Sequence, residues 1–133
     1  MTDSMPDYPD VVVGSVVVNC EDTMRAATFW SELLGRKIHI FPELRRPGEP
    51  DPHEHWLNLE WAPRFGVGMA FQRVPEPKVG TNRLHLDIFC ADPEATAERV
   101  AELGGRRADG FGDHVWLDPD GNELCILPFP GGS

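Results

Sequence analysis

An internal repeat constrains the fold of this chain more than any other feature. Residues 15–36, "SVVVNCEDTMRAATFWSELLGR", align without a gap on residues 85–106, "HLDIFCADPEATAERVAELGGR", and seven positions are identical. Both copies have the same order of signals: an apolar strand, an aspartate, an amphipathic helical stretch and a glycine. The repeat therefore predicts a chain built from two modules of similar structure.

Local signals set the ends of the predicted helices. Asp22 and Asp92 directly precede the helical stretches, and their side chains are good acceptors for the first free helix amides. Gly35 follows the first helix, and Gly104 with Gly105 follows the second; these glycines can adopt the left-handed conformation that ends a helix. After each helix come short segments of strand character: 37–41, 56–61 and 66–74 in the first half, and 106–108, 113–118 and 123–128 in the second.

Each half thus has the order βαβββ, and the predicted fold class is α+β. We expect two tandem βαβββ modules, residues 11–74 and 82–128, within one domain that spans 11–128. Residues 1–10 are predicted to be a flexible acidic tail, and residues 129–133 a C-terminal tail. Since one helix covers only one face of each sheet, two modules side by side would form a curved mixed sheet with a concave cup.

The alternation of strand side chains predicts which residues face the cup. His85 and Asp87 point away from the apolar side chains that pack under the helix. The prolines that end "FQRVP" and "LCILP" align residue 72 with residue 125. A polar sheet face can also lie in water, but a wide, partly apolar sheet favours a pocket. The predicted ligand-binding residues are Ser15, Gln72, His85, Asp87, Trp116, Glu123 and Cys125.

Charge and composition exclude several classes of function. The net charge of −10 and the lack of clustered basic residues argue against nucleic acid as a partner. No apolar run is long enough to span a membrane, so no membrane partner is expected. The three cysteines form no CxxC motif, and residues 1–10 lack the features of a secretion signal. These observations predict reduced thiols and a cytoplasmic protein.

The paired βαβββ pattern, the "HLD" strand and the hairpin "VWLDPDGNELCIL" resemble the vicinal oxygen chelate superfamily, in particular its glyoxalase-like and bleomycin-resistance-like members. The resemblance covers residues 11–128 and implies a small-molecule ligand and a homodimer. It also implies a divalent metal ion held by the first and last strands of each half. The matching positions here are Ser15, His85, Gln72 and Cys125, of which His85 and Gln72 are the predicted metal ligands.

Two functions follow from the resemblance. In the first, the cup binds a small organic ligand and sequesters it, as bleomycin-resistance-like proteins do. In the second, the protein is a metal-dependent lyase, isomerase or dioxygenase of the glyoxalase type. His85 with Asp87 is also a candidate general base with its orienting carboxylate. The sequence leaves open whether the modules pair within one chain or between two.

Overall fold

The computed structural model describes residues 10–41, 47–48 and 54–131. The predicted N-terminal tail falls outside the described residues except for Asp10, as do the last two residues of the predicted C-terminal tail. The bounds of the domain and of the tails stay predictions. Among the described residues, no helix combines the length and the apolar character needed to cross a membrane.

The described part of the first module contains one α-helix, one short 3-10 turn and four strands in the predicted order. Its elements are β1 (Ser15–Cys20), α1 (Thr23–Leu34), β2 (Ile38–His39), β3 (Trp56–Leu59), the turn Pro63–Phe65, and β4 (Gly68–Arg73). The strands form a four-stranded sheet in the order β1-β4-β3-β2. Strands β1 and β4 are parallel, and the other neighbours are antiparallel.

The second module repeats this arrangement. Its elements are β5 (Leu86–Cys90), α2 (Pro93–Glu102), β6 (Arg106–Arg107), β7 (Val115–Leu117) and β8 (Glu123–Pro128). The sheet order is β5-β8-β7-β6, with β5 parallel to β8. The predicted α+β class and the two tandem modules are thus confirmed. The described strands form two separate four-stranded mixed sheets rather than one continuous ladder.

Both helices begin where the sequence predicts. The side chain of Asp22 accepts a hydrogen bond from the backbone N–H of Arg25, and that of Asp92 accepts one from Ala95, at 3.0 and 3.1 Å. Each cap satisfies one of the amides that an α-helix leaves without an internal partner. The repeated aspartates therefore fix the start of both helices by the same mechanism.

The two helices end differently. Gly35 has a φ of 68°, the left-handed conformation expected after α1. After α2 it is Gly104, with a φ of 104°, that takes this role. Gly105 is needed for another reason, because a Cβ there would lie 2.5 Å from Val100 Cγ1 and 2.8 Å from the carbonyl oxygen of Leu117. The absent side chain allows the end of α2 to approach β7 closely.

The helices cover one face of each sheet and share one hydrophobic core. Trp30 of α1 is 1% exposed and is the largest fully buried side chain. Its Nε1 donates a hydrogen bond of 3.1 Å to Asp118 Oδ2 in the second module. Cys20 lies in the same core, and its burial raises the pKa of the thiol to about 12. Cys20 is thus a buried residue of the core.

The turn between β7 and β8 holds the second module against the first. The N–H of Gly121 donates to the carbonyl of Asp118 at 2.9 Å, which closes the tight turn of this hairpin. The buried Asp118 carboxylate accepts hydrogen bonds from Asn122 and Trp30, which partly offset the rise in its pKa caused by burial. Asp120 Oδ1 accepts from the side chain of Arg25 at 2.9 Å. These bonds fix the hairpin to α1.

The register of the last strands differs from the prediction. In the first module, Gln72 pairs with Asn19. The residue that corresponds to Asn19 in the repeat is Phe89, and Phe89 pairs with Leu127. Gln72 therefore corresponds to Leu127, and the alignment that placed it opposite Cys125 is wrong by two residues. The cause is that Pro128 forms the end of β8, opposite Cys90, whereas β4 ends at Arg73, before the proline used for the alignment.

Candidate functional site

A groove of about 500 Å³ lies where the two modules meet. Val18 and Asn19 line it from the end of β1, and Leu84 and His85 line it from the chain that enters β5. The remaining lining residues are Val16, Val17, Trp30, Asn82, Arg83, Leu86, Asn122 and Glu123. Residues of both modules therefore line the groove. The groove has an apolar wall and a set of polar groups.

Three reactive side chains meet beside this groove. His85 Nε2 lies 3.3 Å from Asp87 Oδ1, and the ligand atoms of His85, Asp87 and Cys125 all lie within 4.8 Å of one another. Two features of the strands bring these three residues together. Residues 85 and 87 share a strand face, and the parallel register of β5 and β8 places Asp87 opposite Cys125. The imidazole and the carboxylate are about half exposed, whereas the thiol is buried.

The environment keeps the Cys125 thiol protonated. Burial raises the pKa of this thiol, and the Asp87 carboxylate raises the pKa further as a nearby charge and as the acceptor of a hydrogen bond from the thiol. A neutral thiol is a weak nucleophile, because the thiolate is the reactive form. The cluster is therefore better suited to proton transfer at His85 and Asp87, or to ligation of an ion that displaces the thiol proton, than to nucleophilic attack.

Glu123 lines the groove but is occupied by other partners. Its Oε2 lies 2.6 Å from Lys78 Nζ, and its Oε1 accepts a hydrogen bond from the backbone N–H of Asn82. Lys78 lies in the segment between the modules, and Asn82 lies where the second module begins. The Glu123 side chain is only 8% exposed, and Lys78 neutralises its charge within the protein. Glu123 thus fixes the linker against β8.

The structure does not bring the other predicted residues into the cluster. Ser15 lies at the opposite end of β1 from Asn19 and pairs with Gly68. The Gln72 amide donates a long hydrogen bond of 3.5 Å to Asn19 Oδ1, so it lies next to a residue that lines the groove. Trp116 pairs with Leu124 and packs against the core, on the helix-covered face. The prediction placed Trp116 in the cup. Because side chains alternate between the two faces along β7, Trp116 lies on the face opposite to that of residues 115 and 117.

Several residues of the groove escaped the sequence reasoning. Asn82, Arg83 and Leu84 precede β5, and Asn122 follows the turn between β7 and β8. Strand alternation does not extend to such loop residues, and their positions depend on how the modules meet. Arg83 alone carried a usable signal, since it lies two residues before His85 and shares its parity.

Comparisons with known proteins agree with this architecture. The family model described as a glyoxalase-like domain matches residues 15–127. No curated protein matches the chain. A glyoxalase/bleomycin resistance protein/dioxygenase family enzyme from Burkholderia phytofirmans PsJN has a similar structure, with a TM-score of 0.59 and 15% identity, over 87% of this chain and 97% of that one.

Two further structures have related folds. The trypanothione-dependent glyoxalase I of Leishmania major matches with a TM-score of 0.57 and 15% identity, over 90% of this chain and 87% of that one. The bleomycin-binding protein of bleomycin-producing Streptomyces verticillus, complexed with copper(II)-bleomycin, matches with a TM-score of 0.53 and 15% identity, over 91% of this chain and 98% of that one. At this identity the likeness establishes the fold, and the family match establishes the relationship. This chain therefore belongs to the glyoxalase-like domain family, within the glyoxalase/bleomycin resistance/dioxygenase fold group.

Proposed function

We propose that this protein binds a small organic ligand in the groove between its modules and holds it without chemical change. The observation that carries the proposal is the groove itself. Its volume of about 500 Å³ falls within the range of small-molecule sites, and such sites combine apolar walls with a few fixed polar groups. The bleomycin-binding protein of the same fold, solved with copper(II)-bleomycin, supports this choice by analogy.

The apolar wall supplies the driving force for binding. Val17 is 45% exposed and Leu84 is 85% exposed, although both are large apolar side chains. A ligand that covers them removes apolar surface from water, at roughly 25 cal/mol per Å². The protein alone leaves this surface open, so the wall favours a ligand with an apolar body.

The polar side of the groove is held in a fixed arrangement. The amide of Asn82 donates to Asn122 Oδ1 at 3.4 Å, and the amide of Asn122 donates to the carbonyl of Asn19 at 3.4 Å and to Asp118 Oδ2 at 3.2 Å. These bonds are long, but together they restrict the carboxamides before any ligand arrives. Preorganised polar groups lower the entropy cost of binding. The groove therefore offers orientation as well as apolar contact.

Thermal-shift screening against a library of small organic molecules, with and without divalent metals, tests the proposal. A ligand present at about 100 times its Kd stabilises the native state by roughly 2.7 kcal/mol, which raises the Tm by on the order of 10 °C. Val17→Trp fills the groove and should abolish the shift. Val13→Trp, at a 73% exposed position outside the lining, is the matched control. A library without hits, or hits that Val17→Trp leaves unchanged, would refute ligand binding in the groove.

The cluster of His85, Asp87 and Cys125 favours a second candidate function, a metal-dependent enzyme. Imidazole nitrogen, carboxylate oxygen and thiolate sulfur are ligands typical of zinc, and three protein ligands with an open position are typical of catalytic zinc sites. The donor set therefore fits such an ion, with Cys125 as ligand instead of the predicted Gln72. A bound ion would act as a Lewis acid on a substrate oxygen. The thiol proton of Cys125 would be released to solvent when the ion binds.

Metal binding can be tested without a known substrate. Cobalt(II) titration followed by absorbance should give a sulfur-to-cobalt charge-transfer band that saturates at one ion per chain. His85→Ala and Cys125→Ser should remove the band, whereas His39→Ala, an exposed histidine on β2, should keep it. Failure to bind cobalt or zinc at stoichiometry after dialysis would exclude this function.

A further inference from the structure

Arg83 carries the unpaired charge of the groove. Of the residues that the structure describes, three ionisable side chains line the groove, namely Arg83, His85 and Glu123. Glu123 is paired with Lys78 at 2.6 Å, and His85 is paired with Asp87 at 3.3 Å. Within the ranges that the structure describes, no carboxylate pairs with Arg83. The guanidinium is therefore free to bind a group from a ligand.

Arg83 is a cation in the groove of a chain that is acidic overall. The whole protein has a net charge of −10. Among the side chains that line the groove, Glu123 is neutralised by Lys78, and Arg83 is a cation with no carboxylate partner among the described residues. An apolar wall beside a cation lowers the local dielectric screening and strengthens its attraction for an anion. Guanidinium also offers paired donors whose geometry matches carboxylate, sulfonate and phosphate groups.

The neighbouring residue supplies the other half of the recognition. Leu84 directly follows Arg83, lines the same groove, and is 85% exposed. Val17 faces the same space from β1. A cation and an apolar surface therefore lie side by side, within a space large enough for a molecule of two or three rings.

We infer that the ligand class of this groove is amphipathic organic anions, with the acid group at Arg83 and the apolar body over Leu84 and Val17. This inference rests on the proposed function and specifies its ligand chemistry. Arg83 is then the residue that determines specificity for anions over neutral molecules of the same shape.

Two fluorescent probes with the same aromatic skeleton separate charge recognition from apolar contact. 1-Anilinonaphthalene-8-sulfonate carries an anionic group, and N-phenyl-1-naphthylamine lacks it. Fluorescence titration in low salt gives the Kd of each probe for the full-length protein and its variants. Arg83→Gln should weaken binding of the sulfonate about three- to fivefold, the range expected for an exposed ion pair, and change binding of the amine less than twofold. Added salt should reduce the effect.

Arg64→Gln provides the matched control, since Arg64 is exposed on the 3-10 turn and lies outside the groove. Arg64→Gln removes the same charge and should leave the Kd of both probes unchanged. If Arg83→Gln and Arg64→Gln weaken the sulfonate equally, or if Arg83→Gln weakens both probes equally, the role of Arg83 is refuted while ligand binding stands. If Val17→Trp leaves the binding of both probes intact, they do not occupy the groove, and the proposed function fails together with this inference.

Discussion

The hydrogen bond between Trp30 and Asp118 should be a main element of the junction between the modules. The indole is 1% exposed, the carboxylate is fully buried, and the bond joins α1 to the hairpin of the second module over 3.1 Å. Trp30→Phe keeps an aromatic ring in the core, where it also packs edge-on against Phe29 with centroids 5.3 Å apart. The substitution removes the N–H donor and part of the ring volume.

The expected cost of Trp30→Phe follows from these two losses. A hydrogen bond to a charged acceptor contributes about 1.5–3 kcal/mol, and a cavity of a few tens of Å³ costs roughly 1 kcal/mol at about 24 cal/mol per Å³. The free energy of unfolding should therefore fall by about 2.5–4 kcal/mol. Trp61→Phe also removes an indole donor, one that bonds to the carbonyl of Gly66, but the side chain is 50% exposed. Its cost should stay below about 1 kcal/mol.

Urea unfolding monitored by far-UV circular dichroism measures both variants, because this signal does not depend on tryptophan fluorescence. Asp118→Asn completes a double-mutant cycle with Trp30→Phe, and the structure predicts a coupling of about 1–2 kcal/mol. Equal costs for Trp30→Phe and Trp61→Phe would show that the buried bond does not stabilise the junction. Additive costs in the cycle would show that Trp30 and Asp118 act independently.

Two further predictions concern the cluster and a helix end. In chelator-treated protein, Asp87→Asn should lower the pKa of Cys125 by removing the neighbouring charge and should speed iodoacetamide alkylation of Cys125 near pH 8, as peptide mass spectrometry can show. Asp113→Asn changes a side chain that is 99% exposed and should leave the alkylation rate of Cys125 unchanged. Equal alkylation rates in the two variants would contradict the role of the Asp87 charge in raising the pKa of Cys125. Gly35→Ala places a side chain at a φ of 68° and should cost about 1–2 kcal/mol in thermal unfolding. Gly14→Ala, with equal space and no positive φ, should cost less, and equal losses would exclude backbone strain.

The sequence predicted the modular fold because its determinants are local. The capping bonds of Asp22 and Asp92 involve residues three positions along the chain. The tight turn that ends at Gly121 closes within four residues. A repeat of such signals can be detected without knowledge of tertiary contacts, so the βαβββ order and the family resemblance followed from the residues alone.

Part of the site was also accessible from the sequence. Strand alternation placed His85 and Asp87 on one face, and the parity of β8 placed Cys125 on the corresponding face. The register between β4 and β8 was not accessible, because it depends on hydrogen bonds between distant strands, and the proline alignment moved Gln72 by two positions. A register shift of two residues leaves each side chain on the same face of the sheet but changes its neighbours on the adjacent strand.

The sequence by itself thus determined two βαβββ modules, their helix ends and the face that carries the reactive side chains, because these depend on short-range periodicity. Only the tertiary structure decided that Asp87 meets Cys125, that Glu123 is neutralised by Lys78, and that a groove with a free Arg83 lies between the modules. The physical reason is that these contacts join residues from separate elements. Their energies depend on how strands pair and how modules dock, and no local pattern in the chain records that.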